Sequence, residues 1–236
     1  MQDAGSVDAA EVARFDALAA EWWDPEGPMR PLHQMNPLRV GWIDERVRAR
    51  FGEPVRLLDV GCGAGLAAEA LAKRGHKVLG LDAAGAALDV ARAHAEGLGL
   101  DLEYRQGTAE DLLAGGMRFP VVTALEVIEH VPDPGAFVRT LAGLLEPGGL
   151  LFLSTLNRTR RSWLTAILGA EYVLRWLPVG THDWKRFLTP AELAGHMRGA
   201  GLRLADIAGL APDTLRGGWR ATRDVSVNYV AMGVDG

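Results

Sequence analysis

The chain has 236 residues, 48% hydrophobic and 23% charged, enough apolar material for one sizeable core in a single domain with insertions. A net charge of −5 excludes a partner held mainly by phosphate neutralisation, such as DNA or RNA. The lone cysteine, Cys62, excludes an intrachain disulfide and a cysteine-rich metal site.

In chain order, Asp8 to Asp24 carries Val12, Phe15, Leu18, Ala19 and Trp22 at three- and four-residue spacing. That pattern predicts an amphipathic helix with an aromatic end. After the Pro25–Pro28 break, a second helix is expected to start at Asn36-Pro37 and to run to about Arg50. From Val55 short apolar runs alternate with Ala/Leu-rich stretches. Strands are expected at Val55–Val60, Val78–Leu81, Leu102–Tyr104, Val121–Leu125 and Leu150–Leu153, with helices at Leu66–Arg74, Ala84–Glu96 and Pro134–Leu145. Such alternation indicates a doubly wound α/β fold with a mostly parallel sheet. An insertion follows the fifth strand. Thr189, Pro190 and Glu192 then mark a capped helix start, and late strands near Leu202–Ile207 and Val225–Met232 bring the expected total to seven. No apolar run approaches the ~18–20 residues that span a membrane, and no secretory leader is recognisable, so a cytoplasmic protein is expected.

The first strand runs into Asp59-Val60-Gly61-Cys62-Gly63-Ala64-Gly65. Glycines are needed where a strand turns sharply into a helix and a ligand approaches the backbone. The third glycine of a dinucleotide fingerprint is replaced by Leu66, so a nicotinamide-linked oxidoreductase is disfavoured. The second strand ends in Asp82, placed to accept hydrogen bonds from a ribose diol. Loop, strand and acid in this order resemble the nucleoside-binding half of class I methyltransferases. That resemblance implies S-adenosyl-L-methionine as donor, with Gly61, Gly63 and Asp82 against it and Glu110 or Asp111 beside its adenine.

The fourth strand ends in Leu125-Glu126-Val127-Ile128-Glu129-His130. If this segment is one helical turn, Glu126, Glu129 and His130 point the same way. Two readings stand side by side: the three hold a divalent cation such as Mg2+, or His130 is a metal-free general base. A purely structural turn is the third.

Several further segments are similar to the bacterial ubiquinone-biosynthesis O-methyltransferase family. They include Trp22-Trp23-Asp24, Pro31-Leu32-His33, Asn36-Pro37-Leu38-Arg39, Glu129-His130-Val131-Pro132-Asp133-Pro134, Gly180-Thr181-His182-Asp183 and Val227-Asn228-Tyr229. The resemblance runs from about residue 9 to residue 232. It implies methylation of phenolic hydroxyls on a polyprenyl catechol and on the demethylated ubiquinol. It places donor contacts on Arg39, Gly61, Asp82 and Leu125, and it supports metal ligation by Glu126, Glu129 and His130. Arg39 suits a carboxylate, which a guanidinium clasps in a bidentate fork. His33 and His182 are acceptor-pocket candidates. Other enzymes of ubiquinone biosynthesis are implied as partners. Within one domain, 8–50 reads as a helical lid, 55–157 as the donor-binding core, 158–187 as the insertion and 188–236 as the rest of the sheet. Another small-molecule O- or N-methyltransferase, or a non-catalytic donor-binding scaffold, would share these features.

The insertion, Arg158 to Phe187, gathers Trp163, Ile167, Tyr172, Trp176 and other apolar residues with six basic side chains against two acidic ones. Positive charge around an apolar, aromatic stretch is the pattern of an interfacial helix on anionic lipid. Peripheral attachment to the inner face of the cell membrane is therefore expected; a lid is the other reading.

Overall fold

Every residue of β1 (Arg56–Val60) after Arg56 is buried, as a strand covered by helices on both faces requires. The computed structural model describes residues 7–163, 184–213 and 218–236. Flanking β1 in parallel are β2 (Lys77–Asp82) and β4 (Phe119–Leu125). The parallel run is completed by β3 (Leu102–Gln106) beside β2 and β5 (Leu145–Leu156) beside β4. Three antiparallel strands follow: β6 (Leu202–Pro212), β7 (Trp219–Thr222) and β8 (Asn228–Asp235). Their spatial order is β3-β2-β1-β4-β5-β8-β6-β7.

Eight strands stand where seven were expected. The addition is β7, two half-buried and two exposed residues that pair with the long β6 from Gly209 to Pro212. So short a strand with a mixed polar pattern has no periodicity of its own to read.

Alternate residues send their side chains to opposite faces. Leu57 packs with Ile43, Leu71 and Phe152, whereas Leu58 and Val60 belong with Phe137 and Leu141. The helices that cover these faces include α2 (Arg30–Phe51), α3 (Leu66–Ala72), α4 (Gly85–Ala95), α5 (Ala109–Ala114) and α6 (Pro134–Gly143). A single turn, α7 (Arg160–Ser162), follows β5. The last, α8 (Pro190–Gly199), begins with the expected capping box: Thr189 and Glu192 each accept the other's backbone N–H.

Two boundaries differ from expectation. Helix α2 starts at Arg30 with Pro31 in its first turn, and Pro37 lies inside it. An internal proline costs about 3 kcal/mol, but burial of Met35, Val40, Trp42, Ile43 and Val47 on this helix outweighs that. Asn36 is therefore no cap; its amide donates to the Leu66 carbonyl at 2.9 Å. The acidic stretch after β3 forms α5, opened by a Thr108–Asp111 capping box. The first helix, α1 (Ala9–Leu18), is capped by Asp8 and continues into one 3-10 turn, Ala19–Glu21.

Of the insertion, 164–183 lies outside the described residues, and with it Ile167, Tyr172, Trp176 and His182. Among the described residues no helix is long and apolar enough to cross a membrane.

Candidate active site

The C-terminal ends of β1, β2 and β4 open on a cavity of about 580 Å³. At one end lies the glycine loop. Gly61 and Gly63 have φ of 69° and 53°, and neither has room for a side chain. A Cβ on Gly61 would meet Val127 at 2.5 Å, and one on Gly63 would meet the Trp22 ring at 2.3 Å. Both glycines line the cavity, with Val127 and Trp22 packed directly against them.

Asp82 faces the same space from the end of β2. Its Oδ2 accepts the Gly63 N–H at 2.7 Å and its Oδ1 accepts the Ala84 N–H at 2.8 Å. Burial pushes this carboxyl up, and those backbone donors pull it back. A carboxylate has about four acceptor sites, so two remain for a diol after the backbone bonds. Leu125 completes this end as an apolar wall residue. Gly107, Thr108 and Ala109 line the side toward α5. Asp111 closes the capping box with Thr108, and Glu110 stands on the first turn of α5.

Beneath the loop, Asp59 is a buried acid that the sequence reading passed over. Thr123 donates to its Oδ1 at 2.6 Å, while burial raises the carboxyl to about 6. An acid inside an otherwise apolar strand was the available signal.

The segment after β4 is not a helical turn. Glu126 has φ of +59°, so the chain bends before the turn that carries Glu129 and His130. The three side chains line one cavity yet take separate partners. Glu126 accepts from Arg39 at 3.2 Å and from the Ser154 hydroxyl at 2.7 Å. Glu129, only 4% exposed, accepts from the Thr155 hydroxyl at 2.9 Å. Burial, and then the charge of Glu126, raises Glu129 to about 8. His130 Nδ1 lies 2.9 Å from Glu11 Oε2 on α1. Among the described residues no three His, Cys, Asp or Glu side chains form a group able to hold a cation. The proposed Mg2+ ligands are in the site, but their arrangement does not fit a metal.

Arg39 is buried and paired with Glu126, which lines the cavity, and with Ser154 and Asn36. His33 is structural: its Nε2–H donates to the Trp22 carbonyl at 2.8 Å and its ring meets Trp23 edge-on.

Of the N-terminal helices, α1 and the turn after it contribute most to the cavity lining. Val12, Phe15, Leu18 and Trp22 form the cavity's roof over the glycine loop. Asp16 accepts from the Ala86 N–H at 3.0 Å, at the start of α4. Trp23 stacks on His94 at 3.4 Å and donates to the Ala64 carbonyl. The hydrophobic stripe was legible in the sequence, but its docking site was not. The lining also includes the apolar Leu32, Met35, Leu156, Leu210 and Trp219, with Asn228 among them.

The sequence model of a family described as a methyltransferase domain matches residues 32–207. The ubiquinone biosynthesis O-methyltransferase of Azorhizobium caulinodans is 48% identical, over 97% of this chain and 94% of its own. Its counterpart from Methylobacterium nodulans is 50% identical, over 95% of this chain and 94% of its own.

The chain belongs to the ubiquinone biosynthesis O-methyltransferase family.

Solved structures with the same fold include magnesium protoporphyrin IX methyltransferase from Synechocystis with bound SAH, at a TM-score of 0.68 and 19% identity over 95% of each chain. A possible histamine N-methyltransferase from Thermotoga maritima has a TM-score of 0.65 and 16% identity over 94% of this chain and 98% of that one. For this member of the ubiquinone biosynthesis O-methyltransferases, those neighbours establish the class I methyltransferase fold around the cavity.

Proposed function

We propose that this protein methylates phenolic hydroxyls of polyprenylated ubiquinone precursors, both a polyprenyl catechol and demethylubiquinol, with S-adenosyl-L-methionine as donor. One observation carries the reading. A single cavity is lined by the glycine-and-acid cradle, by a histidine and by many apolar side chains. When bound, the donor supplies an electrophilic methyl group on a sulfonium. Gly61 and Gly63 give it close backbone approach, Asp82 accepts from its ribose hydroxyls, and Leu125 packs against it. The apolar lining, Leu156, Leu210 and Trp219 included, takes the ring and the start of the prenyl chain and keeps water out. His130 accepts the phenolic proton as the oxygen forms its new bond to carbon and the sulfur–carbon bond breaks. Glu129, whose carboxyl burial and the charge of Glu126 push up, lines the same cavity.

The test is a methyl-transfer assay on prenylated and unprenylated catechols, with and without chelator. Turnover that survives chelation and rises with the prenyl chain supports the reading. No turnover on any catechol, with donor binding intact, would leave the scaffold reading.

Membrane contact through 158–187 and association with other quinone-pathway enzymes complete the proposal. The basic and aromatic composition of that insertion supports the first, and a prenyl tail that partitions into lipid makes it economical. Arg161 is paired with Asp224 at 2.6 Å, so Arg160→Glu is the cleaner charge change. It should reduce sedimentation with anionic liposomes; wild-type protein that ignores such liposomes at low salt sinks the contact.

A further inference from the structure

We infer that Glu11, carried by α1, is the positioning residue for His130, so that the proton-accepting pair is complete only while this helix roofs the donor cradle. The inference rests on the reading of His130 as the base. Glu11 and His130 are 119 positions apart in sequence, yet Oε2 and Nδ1 are 2.9 Å apart. A carboxylate only accepts, so Nδ1 is the donor, and the lone pair that takes a proton is on Nε2. An acid that holds a histidine in one tautomer also stabilises the imidazolium formed as the proton arrives. Both side chains line the cavity, so the pair sits at the reacting space.

The surroundings fix this contact from two more sides. Phe15, one turn along α1, presents its ring to the imidazole at 5.3 Å and 85°, an edge-to-face arrangement. Asp16, on the same helix, holds the Ala86 and Ala87 N–H groups at the start of α4. Arg14 lies 4.0 Å from Glu11. Yet no residue of α1 is fully buried. The helix is held by directed contacts over an apolar stripe rather than by a core, which suits an element that opens to admit ligands. Roofing the donor and orienting the base are then one event, because both are done by one helix.

The experiment compares Glu11→Ala, Glu11→Gln, His130→Ala and the Glu11→Ala/His130→Ala double variant of the full chain, with a prenylated catechol as acceptor. Turnover, acceptor KM and calorimetric affinity for S-adenosylhomocysteine are measured for each. Glu11→Ala should lower kcat at least tenfold while acceptor KM and donor-side affinity stay within twofold. Glu11→Gln should recover part of kcat, because an amide oxygen still accepts from Nδ1. Glu11→Ala should cost nothing further once His130 is gone. The inference is overturned if Glu11→Ala keeps kcat within twofold, if its loss tracks donor-side affinity, or if the loss persists without His130. A fully active His130→Ala variant overturns the base reading and this inference with it. An inactive one beside an unaffected Glu11→Ala overturns this inference alone.

Discussion

Arg39 and Glu126 form an ion pair at 3.2 Å in which the guanidinium is 4% exposed and the carboxylate 20%. Glu126 holds this position with a left-handed backbone, the only described non-glycine residue with positive φ. Burial works against the charge on Arg39, and Glu126 is the first group that offsets it. Removing one member of a buried pair leaves an uncompensated charge. Glu126→Ala should therefore lower stability in chemical denaturation by about 2 kcal/mol, discounted for the partial exposure of Glu126. Pairing it with Arg39→Met should restore most of that loss. A double variant no more stable than Glu126→Ala would show that the pair is not the source.

Donor affinity should depend on Asp82. Asp82→Ala removes the proposed partner of the ribose hydroxyls and the acceptor of the Gly63 N–H. Losing charge-assisted hydrogen bonds of this kind costs about 1.5–3 kcal/mol, so binding should weaken at least tenfold. Calorimetry with S-adenosylhomocysteine reads it directly, and unchanged affinity would remove Asp82 from the donor site.

Two buried acids make stability depend on pH in a defined direction. Asp59 is raised to about 6 and Glu129 to about 8, above the values an unfolded chain gives them. A raised acid binds its proton more tightly in the folded state. Its contribution is complete below the unfolded value and is lost as pH rises through the folded one. For Asp59 that loss falls between about pH 4 and pH 6 and amounts to about 3 kcal/mol. For Glu129 it continues to about pH 8. Urea midpoints followed from pH 5 to 9 should fall less steeply in Glu129→Gln than in wild type, because the amide cannot ionise. Parallel slopes would contradict the raised value.

What was legible in the sequence was local. Gly61, Gly63 and Asp82 announce themselves because a strand-to-helix turn admits few residues and an acid at a strand end has few uses. The parallel strands read as apolar runs because both of their faces are buried. Other features were set by distant partners. The turn at Glu126 looked helical because i, i+3, i+4 spacing is also what a bend followed by a turn leaves in sequence. Its φ is selected by Arg39 and Ser154, which lie far away in the chain. Helix α2 runs through Pro37 because packing of Val40, Ile43 and Val47 outweighs a broken hydrogen bond, and propensity alone favours a start there. Glu11 belongs to the site only through a helix whose docking no periodicity reveals. Two local signals were left unread: Asp59 inside an apolar strand, and Thr108–Asp111, a capping box of the same kind as Thr189–Glu192.

The roof over the donor cradle should be sensitive to a single methyl group. Gly63 has φ of 53°, a region that side chains disfavour, and the space a Cβ would fill is taken by Trp22 at 2.3 Å. The obstacle is a ring packed against Met29 and Ala64, with no flexible end to swing aside. Gly63→Ala should therefore displace Trp22, loosen the turn that joins α1 to the rest of the lid and weaken donor-side affinity at least tenfold. Two causes are separable. If the clash with the ring dominates, Gly63→Ala combined with Trp22→Ala should bind better than Gly63→Ala alone. If the backbone conformation dominates, removing the ring should not help. Limited proteolysis at the N-terminal segment gives a second readout, since an undocked α1 exposes its cleavage sites. Gly63→Ala with wild-type affinity and wild-type resistance to protease would show that Trp22 does not form the roof in solution.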